Sequence, residues 1–254
     1  MNHLPSHATQ PYSSSLNAKS GLVRSLGKWL RDYIPFGRIS YAQEGEDMVL
    51  ARIFAKLSVS KGFFVDIGAH HPTRYSNTYY FYRRGWRGIN VDALPGTKRL
   101  FTRMRPRDTT IECGVGSQPG VMTYYAFNEP ALNTFSASEA ERKNRAPYRI
   151  VENIRIPVVT LQHIFEEYLP TGTNIDFMTI DAEGFDHEIV ISNDWTKYRP
   201  RIILIELLTT ELGQVNSHPT AQFLYENGYH LIAKTFNTFF FVENEIFEAF
   251  PKST

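Results

Sequence analysis

Several short apolar runs in this chain end in an acid and then break at glycine. The first is Phe63-Phe64-Val65-Asp66-Ile67-Gly68-Ala69-His70-His71, and a second, Gly88-Ile89-Asn90-Val91-Asp92, places its acid 26 positions after Asp66. That spacing holds one strand, one helix and one strand, a βαβ crossover of about 30 residues. An acid at the tip of the first strand can face the charged end of a ligand. An acid at the tip of the second can bond a ribose diol. The pair points to an adenosine-containing cofactor. Three more runs end similarly, at Glu112-Cys113-Gly114-Val115-Gly116, Ile180-Asp181-Ala182-Glu183-Gly184 and Ile205-Glu206. Ligands of open α/β sheets bind outside the carboxyl ends of the strands, so these ends imply one shared crevice. A single acid after a strand often only caps the next helix; five together say more.

The first loop separates the possible cofactors. Binding a pyrophosphate needs Gly-x-Gly-x-x-Gly, so that backbone N–H groups reach the phosphates. Here Gly68-Ala69-His70-His71-Pro72-Thr73 has one glycine, with Asp66 just before it. Asp66 would repel a pyrophosphate but suits a cationic amino group. An adenosine cofactor that bears an amino acid and no phosphate is S-adenosylmethionine, which moves the reading from a dehydrogenase to a methyl transferase.

These residues need a frame to hold them. Helical spacing covers 41–58, and beyond it strands and helices alternate. Strands are expected at 63–67, 88–92, 109–113, 121–127, 150–159, 175–180 and 201–207, with helices near 76–84, 95–104, 160–169, 185–192 and 219–227. Two closing strands, 229–235 and 238–243, are too close for a crossover and should pair antiparallel. Alternation of this kind predicts an α/β fold, a mostly parallel sheet with helices on both faces. The polar stretch 132–148 reads as an excursion or lid, with Arg142, Lys143 and Arg145 as a solvated face. Residues 1–20 read as a disordered tail, 21–38 as an amphipathic helical extension and 39–254 as the main domain. The helix at 21–36 carries a basic face that suits packing on the domain or weak peripheral membrane contact.

Composition excludes several classes. The 254 residues, 42% of them hydrophobic, suit one α/β domain, and a net charge of +1 supplies no basic stripe for nucleic acid. No apolar run is long enough to span a membrane. The single cysteine, Cys113, excludes an internal disulfide framework and fits a reducing, cytoplasmic setting.

Four motifs together resemble a known family. They are Tyr41-Ala42-Gln43-Glu44-Gly45-Glu46-Asp47, Val65-Asp66-Ile67-Gly68-Ala69-His70-His71-Pro72, Gly85-Trp86-Arg87-Gly88-Ile89-Asn90-Val91-Asp92 and Ile180-Asp181-Ala182-Glu183-Gly184-Phe185-Asp186. Weaker matches are Asn133-Thr134-Phe135-Ser136 and Gly228-Tyr229. In their order and spacing, over roughly residues 39 to 244, the chain resembles FkbM-type S-adenosylmethionine-dependent methyltransferases. The resemblance implies a Rossmann-like class I methyltransferase fold with a seven-stranded sheet. It implies that Asp66, Gly68 and Ala69 line the methionine end of the cofactor and that Asp92 holds the ribose, with Ala93 beside it. It further implies that Cys113, Gly114 and Val115 lie near adenine, Asp181 by the methyl group and Gln43 on the rim. The first loop departs from the common methyltransferase pattern, which has a further glycine where Pro72 or Thr73 stands. The implied reaction is O-methylation of a sugar, glycan or natural product hydroxyl.

A sulfonium methyl is already a strong electrophile, so the protein has to align the acceptor and remove its proton. Asp181, Glu183 and His70 are the expected bases. A magnesium ion bridging Asp181, Glu206 and two vicinal hydroxyls is a second route to the same end. The competing readings are a non-catalytic, cofactor-binding partner protein and a nucleotide-dependent oxidoreductase.

Overall fold

A computed structural model describes residues 37–208 and 211–249. The expected tail at 1–20 and amphipathic helix at 21–36 lie outside the described residues. From Ser40 onward the described residues belong to one compact unit. Its elements are α1 (Glu46–Lys56), β1 (Phe63–Ile67), α2 (Tyr79–Tyr82), β2 (Arg87–Asp92), α3 (Thr97–Met104), β3 (Thr109–Glu112), β4 (Gly114–Val115) and β5 (Gly120–Phe127). They continue with α4 (Ala137–Lys143), β6 (Ile150–Val159), α5 (Leu161–Tyr168), β7 (Phe177–Ile180), α6 (Asp186–Val190) and β8 (Ile202–Glu206). The last are α7 (Pro219–Glu226), β9 (Tyr229–Lys234), β10 (Thr238–Glu243) and α8 (Asn244–Ala249).

Seven strands form one sheet in the order β3-β2-β1-β7-β8-β10-β9. The first five are parallel, and β10 runs antiparallel to both β8 and β9. Strand order reverses between β1 and β7, the place where an open sheet leaves a crevice. The fold is therefore the expected α/β, Rossmann-like sheet. One expectation needs refinement. The strands at 120–127 and 150–159 do not join this sheet; with β4 they form a separate three-stranded sheet, β4-β6-β5.

Helices cover both faces because successive strand residues point to opposite sides. Val65, Ile67, Ile203, Ile205, Phe239 and Phe241 pack against α5, α6 and α7. Their neighbours Phe64, Ile202, Leu204, Phe240 and Val242 pack against α1, α2 and α8. The central strands are thus apolar on both sides, as buried parallel strands must be. Burying each such side chain contributes about 1.5–3 kcal/mol. Among the described residues no helix is long and apolar enough to cross a membrane.

A polar network lies inside this core, under the loop that follows β1. Arg105 is wholly buried and ion-pairs with Asp108 at 2.7 Å, with neither side chain exposed. Its Nη1 donates to Thr78 Oγ1 at 3.0 Å and to the Pro72 carbonyl at 3.3 Å. Asp108 also accepts from the Gly88 N–H and the Asn90 amide, both at 3.2 Å. The network thereby ties loop 72–78 to β2. Replacing Arg105 with Leu strands Asp108 without its countercharge. Such a loss costs about 3–5 kcal/mol, and urea denaturation of Arg105→Leu should show it as a lower midpoint. A midpoint equal to the wild type would remove the network from this role.

Candidate functional site

The carboxyl ends of β1, β2 and β7 are stitched together by their own backbones. Gly68 and Ala69 donate N–H bonds to the Val91 carbonyl at 2.9 and 3.0 Å, and the Asp181 N–H donates to the Ile67 carbonyl at 3.0 Å. Gly68 sits at φ +81°, and a Cβ there would fall 1.8 Å from the Asp181 carbonyl oxygen. Only glycine fits, which is the physical reason for the glycine break in the motif. Above these tips opens a cleft lined by the loops that follow β1, β2 and β7.

Ten of the residues expected at the site line this cleft: Gln43, Gly68, His70, Asp92, Ala93, Cys113, Gly114, Val115, Asp181 and Glu183. Asp66 and Ala69 do not. Ala69 is buried. Asp66 lies beneath the floor, where its Oδ2 accepts the Thr78 hydroxyl at 2.7 Å. Burial raises its carboxyl to about 6, against the opposing effects of Thr78 and the nearby Arg105. Through Thr78 it joins the network under the first loop.

Asp92, at the tip of β2, holds the loops on either side of the cleft. Its Oδ2 accepts the His70 N–H at 2.7 Å and its Oδ1 accepts the Leu94 N–H at 2.8 Å. Oδ1 also accepts the Thr97 hydroxyl at 3.3 Å, so Oδ2 is the oxygen that keeps a second lone pair for a ligand. Burial raises this carboxyl too. The His70 ring stacks on Tyr75 at 6.3 Å. Burial, then the charge of Arg74, lowers its pKa, so the imidazole is neutral near pH 7. Cys113 is a buried thiol that burial pushes up to about 11, the behaviour of a small apolar wall residue rather than a nucleophile.

The opening motif around Gln43 turns out to be mostly structural. Asp47 accepts the Ser40 hydroxyl at 2.6 Å and the Tyr41 N–H at 2.7 Å. Glu44 accepts the Asn237 N–H at 2.9 Å, and Glu46 accepts the Thr238 hydroxyl at 3.3 Å. The acids thus anchor this segment to the turn before β10 and present Gln43 to the cleft.

Carboxylates gather at the tips of β7 and β8. Asp181, Glu183 and Glu206 can each offer an oxygen within 4.8 Å of the others'. Asp181 is open to the cleft although protein surrounds it on the other sides. Its carboxyl lies beside that of Glu206. Burial and the charges of Glu206 and Glu183 hold Asp181 well above the usual carboxylate range. Burial, then Glu183 and Asp186, pushes Glu206 up to about 8. Glu206 Oε2 is buried with no hydrogen-bond partner. Asp186, the first residue of α6, accepts the Ala182 and Gly184 N–H groups at 3.0 and 3.1 Å and fixes the loop that carries Glu183. Burial and Asp181 raise it to about 8 as well.

The stretch at 132–148 does cover this end of the cleft, but one residue there departs from expectation. Lys143 is not part of a solvated face. It is 8% exposed and ion-pairs with Glu183. Arg142 keeps the surface role and pairs with Glu139 at 2.6 Å. Sequence periodicity could not separate the two, because α4 spans only seven residues and its partner lies 40 positions away.

Residues 66–231 match the profile of the family described as "Methyltransferase FkbM domain". No curated protein matches the chain. Two solved structures are similar at low scores. A TehB-like SAM-dependent methyltransferase from Corynebacterium glutamicum is 11% identical, with 89% of this chain and 99% of that chain covered, at a TM-score of 0.37. A precorrin-6y C5,15-methyltransferase from Geobacter metallireducens is 14% identical, with 77% and 86% covered, at 0.36. Scores this low carry no weight for the fold, which rests on the strand order above.

The carboxyl cluster makes stability depend on pH. Glu206 and Asp186 hold protons to about pH 8 in the folded chain but release them near pH 4 when unfolded. The folded state binds more protons in that window, so stability is greatest at its acid end and is lost as pH rises toward 8. In chelator-treated protein the Tm should fall between about pH 5 and 8, and Glu206→Gln should flatten the slope. An equally steep slope in the variant would show that Glu206 does not carry the effect.

Proposed function

The chain belongs to the FkbM methyltransferase domain family, and from that premise we propose that it moves the methyl group of S-adenosylmethionine to a hydroxyl of a sugar, glycan or natural product. The observation that carries the reading is the cleft itself. One acid, Asp92, closes the tip of β2, and a second acidic group, around Asp181, closes the tip of β7 on the other side of Gly68. Asp92 is assigned to the ribose hydroxyls, with Ala93 beside it. Cys113, Gly114 and Val115 are assigned to the adenine wall, and Gly68 with Gln43 to the methionine end. Asp66 and Ala69 are assigned an indirect part there, since both lie behind the wall.

Asp181 faces the acceptor. Two carboxyl groups as close as those of Asp181 and Glu206 favour a state with one proton and one negative charge between them. A carboxylate raised toward the working pH is a better proton acceptor than an ordinary one. The charged member of the pair would take the proton of the acceptor hydroxyl, and the bound methyl donor would supply the methyl group, its sulfonium becoming a neutral thioether. Glu183, tied to Lys143, and the neutral His70 are the other groups within the cleft able to accept that proton.

A metal-assisted version has one observation in its favour, the convergence of Asp181, Glu183 and Glu206. Oxygen donors of this kind fit magnesium, and a bound ion would lower the pKa of an acceptor hydroxyl.

Calorimetry separates these readings from the alternatives. Wild-type protein should bind S-adenosylmethionine and S-adenosylhomocysteine and ignore NAD, and Asp92→Ala should bind both methyl cofactors at least tenfold more weakly. NAD binding without either methyl cofactor would favour the oxidoreductase and end the proposal. With an acceptor from a sugar and glycan screen, Asp181→Asn should lose about 10²–10⁴ in turnover and keep its S-adenosylhomocysteine affinity. Unchanged turnover after exhaustive chelation would remove the metal version. Cofactor binding with no turnover on any acceptor class would favour the non-catalytic partner.

A further inference from the structure

The whole-chain charge of +1 hides a local excess. Residues 83–107 hold eight lysines and arginines against one acid, Asp92, which is buried at the cleft. Of the eight only Arg105 is buried, in its pair with Asp108, and the others are exposed. Among the described residues, Arg87, Lys98, Arg99 and Arg103 have no carboxylate partner. Glu112, at the end of β3, is turned to the start of α3, where it accepts the Gly96 and Lys98 N–H groups at 2.8 and 3.1 Å.

Helix α3 sets this charge out in rows. Thr97, Phe101 and, just past the helix end, Arg105 are buried, so residues four apart on the other side form exposed pairs. Lys98 and Thr102 make one row, Arg99 and Arg103 the next, and Leu100 and Met104 the third. Leu100 is 37% and Met104 42% exposed. The basic face continues beyond the helix. Arg107 donates to the Tyr82 carbonyl at 2.6 Å, with its guanidinium 4.2 Å from the centre of the Tyr82 ring. Arg83 follows Tyr82 at the end of α2 and is exposed as well. The helix is rooted at the cleft, where the Thr97 hydroxyl donates to Asp92 Oδ1.

We propose that this face docks on an anionic lipid bilayer, with its guanidinium groups at the phosphates and the Leu100–Met104 row at the acyl boundary. Lysine and arginine are drawn to the negative potential of such a surface. An apolar row beside a basic one is the pattern of a helix that lies in the plane of the interface. Nucleic acid would also satisfy the arginines, but it gives the Leu100–Met104 row no apolar partner. A single strand further needs exposed rings on which its bases stack, and Phe101, the one aromatic residue of α3, is fully buried. Docking through α3 does not depend on which cofactor the cleft holds.

The test is co-sedimentation of the full chain with phosphatidylcholine vesicles, with and without phosphatidylglycerol, beside fluorescence anisotropy on a single-stranded RNA. Wild type should bind the anionic vesicles and not the neutral ones, and added salt should release it. Arg99→Gln with Arg103→Gln should weaken that binding about 25-fold, about fivefold for each charge removed. Leu100→Gln with Met104→Gln keeps the charge and should weaken it about three- to tenfold. Arg145→Gln with Arg149→Gln removes two exposed arginines outside the face and should stay within about twofold of wild type. Thermal unfolding is the folding control for all three pairs. A wild type that ignores anionic vesicles would overturn the proposal, and so would an equal loss in the Arg145 and Arg149 variant. Unweakened binding in the Leu100 and Met104 variant, or RNA held more tightly than vesicles, would give the face to a polyanion and overturn the bilayer assignment.

Discussion

The site depends on how closely two backbones approach at one point, where Gly68 meets the Asp181 carbonyl. Strand order reverses between β1 and β7, so the helices that follow them leave on opposite faces and a crevice opens between. Without a side chain at position 68 the two tips lie together, and the loops after them diverge. One loop leads through His70 to the Asp92 side. The other carries Glu183 and Gly184 to the acidic side. The tips beneath those sides are held in register by main-chain bonds from Gly68, Ala69 and Asp181.

The acidic side is kept compact although its charges are alike. Four carboxyl groups, Asp181, Glu183, Asp186 and Glu206, meet there, and four full negative charges at such range would repel strongly. Three devices lower that charge. Burial and the neighbouring carboxylates favour the protonated forms of Asp181 and Glu206. Asp186 accepts two backbone N–H groups, yet burial still favours its neutral form near pH 7. Glu183 has the buried Lys143. The cation comes from α4, within the stretch between β5 and β6, so the covering segment also contributes to the electrostatics of the carboxyl cluster beneath it.

The tips were legible in the sequence because their signals are local. An apolar run buried on both faces, an acid at its end and a glycine where two backbones touch all lie within a few residues of one another. That suffices for Gly68, Asp92, Asp181 and the order of the main strands. What was not legible depends on partners distant in sequence. Lys143 looks the same as Arg142 until Glu183 is placed above it. Asp66 sits correctly at a strand tip, but Thr78 and Arg105 claim it from below. Tyr124 and Tyr125 are neighbours on β5 that point to opposite faces, and only the fold decides which one enters the cleft. The small sheet of β4, β5 and β6 was missed for the same reason, since its strands carry the same β-like composition as those of the main sheet.

The backbone around the cleft also bears on how the site works. Among the described residues four that are not glycine adopt positive φ, and three of them, His70, Tyr75 and Glu183, line the cleft. Such conformations cost about 1–3 kcal/mol each and persist only where the surroundings over-determine them. His70 has its N–H fixed by Asp92, and its ring stacks on Tyr75. Tyr75 in turn lies under the Arg74 guanidinium at 4.5 Å. Glu183 is held by its carbonyl to Thr134, by its carboxylate to Lys143 and, one residue later, by the Gly184 N–H to Asp186. The strain is met by bonds within the protein itself. A site built this way orders its walls before a ligand arrives, so binding costs less conformational entropy. The ordered sheet edge thus stabilises geometry that the loops alone would not keep.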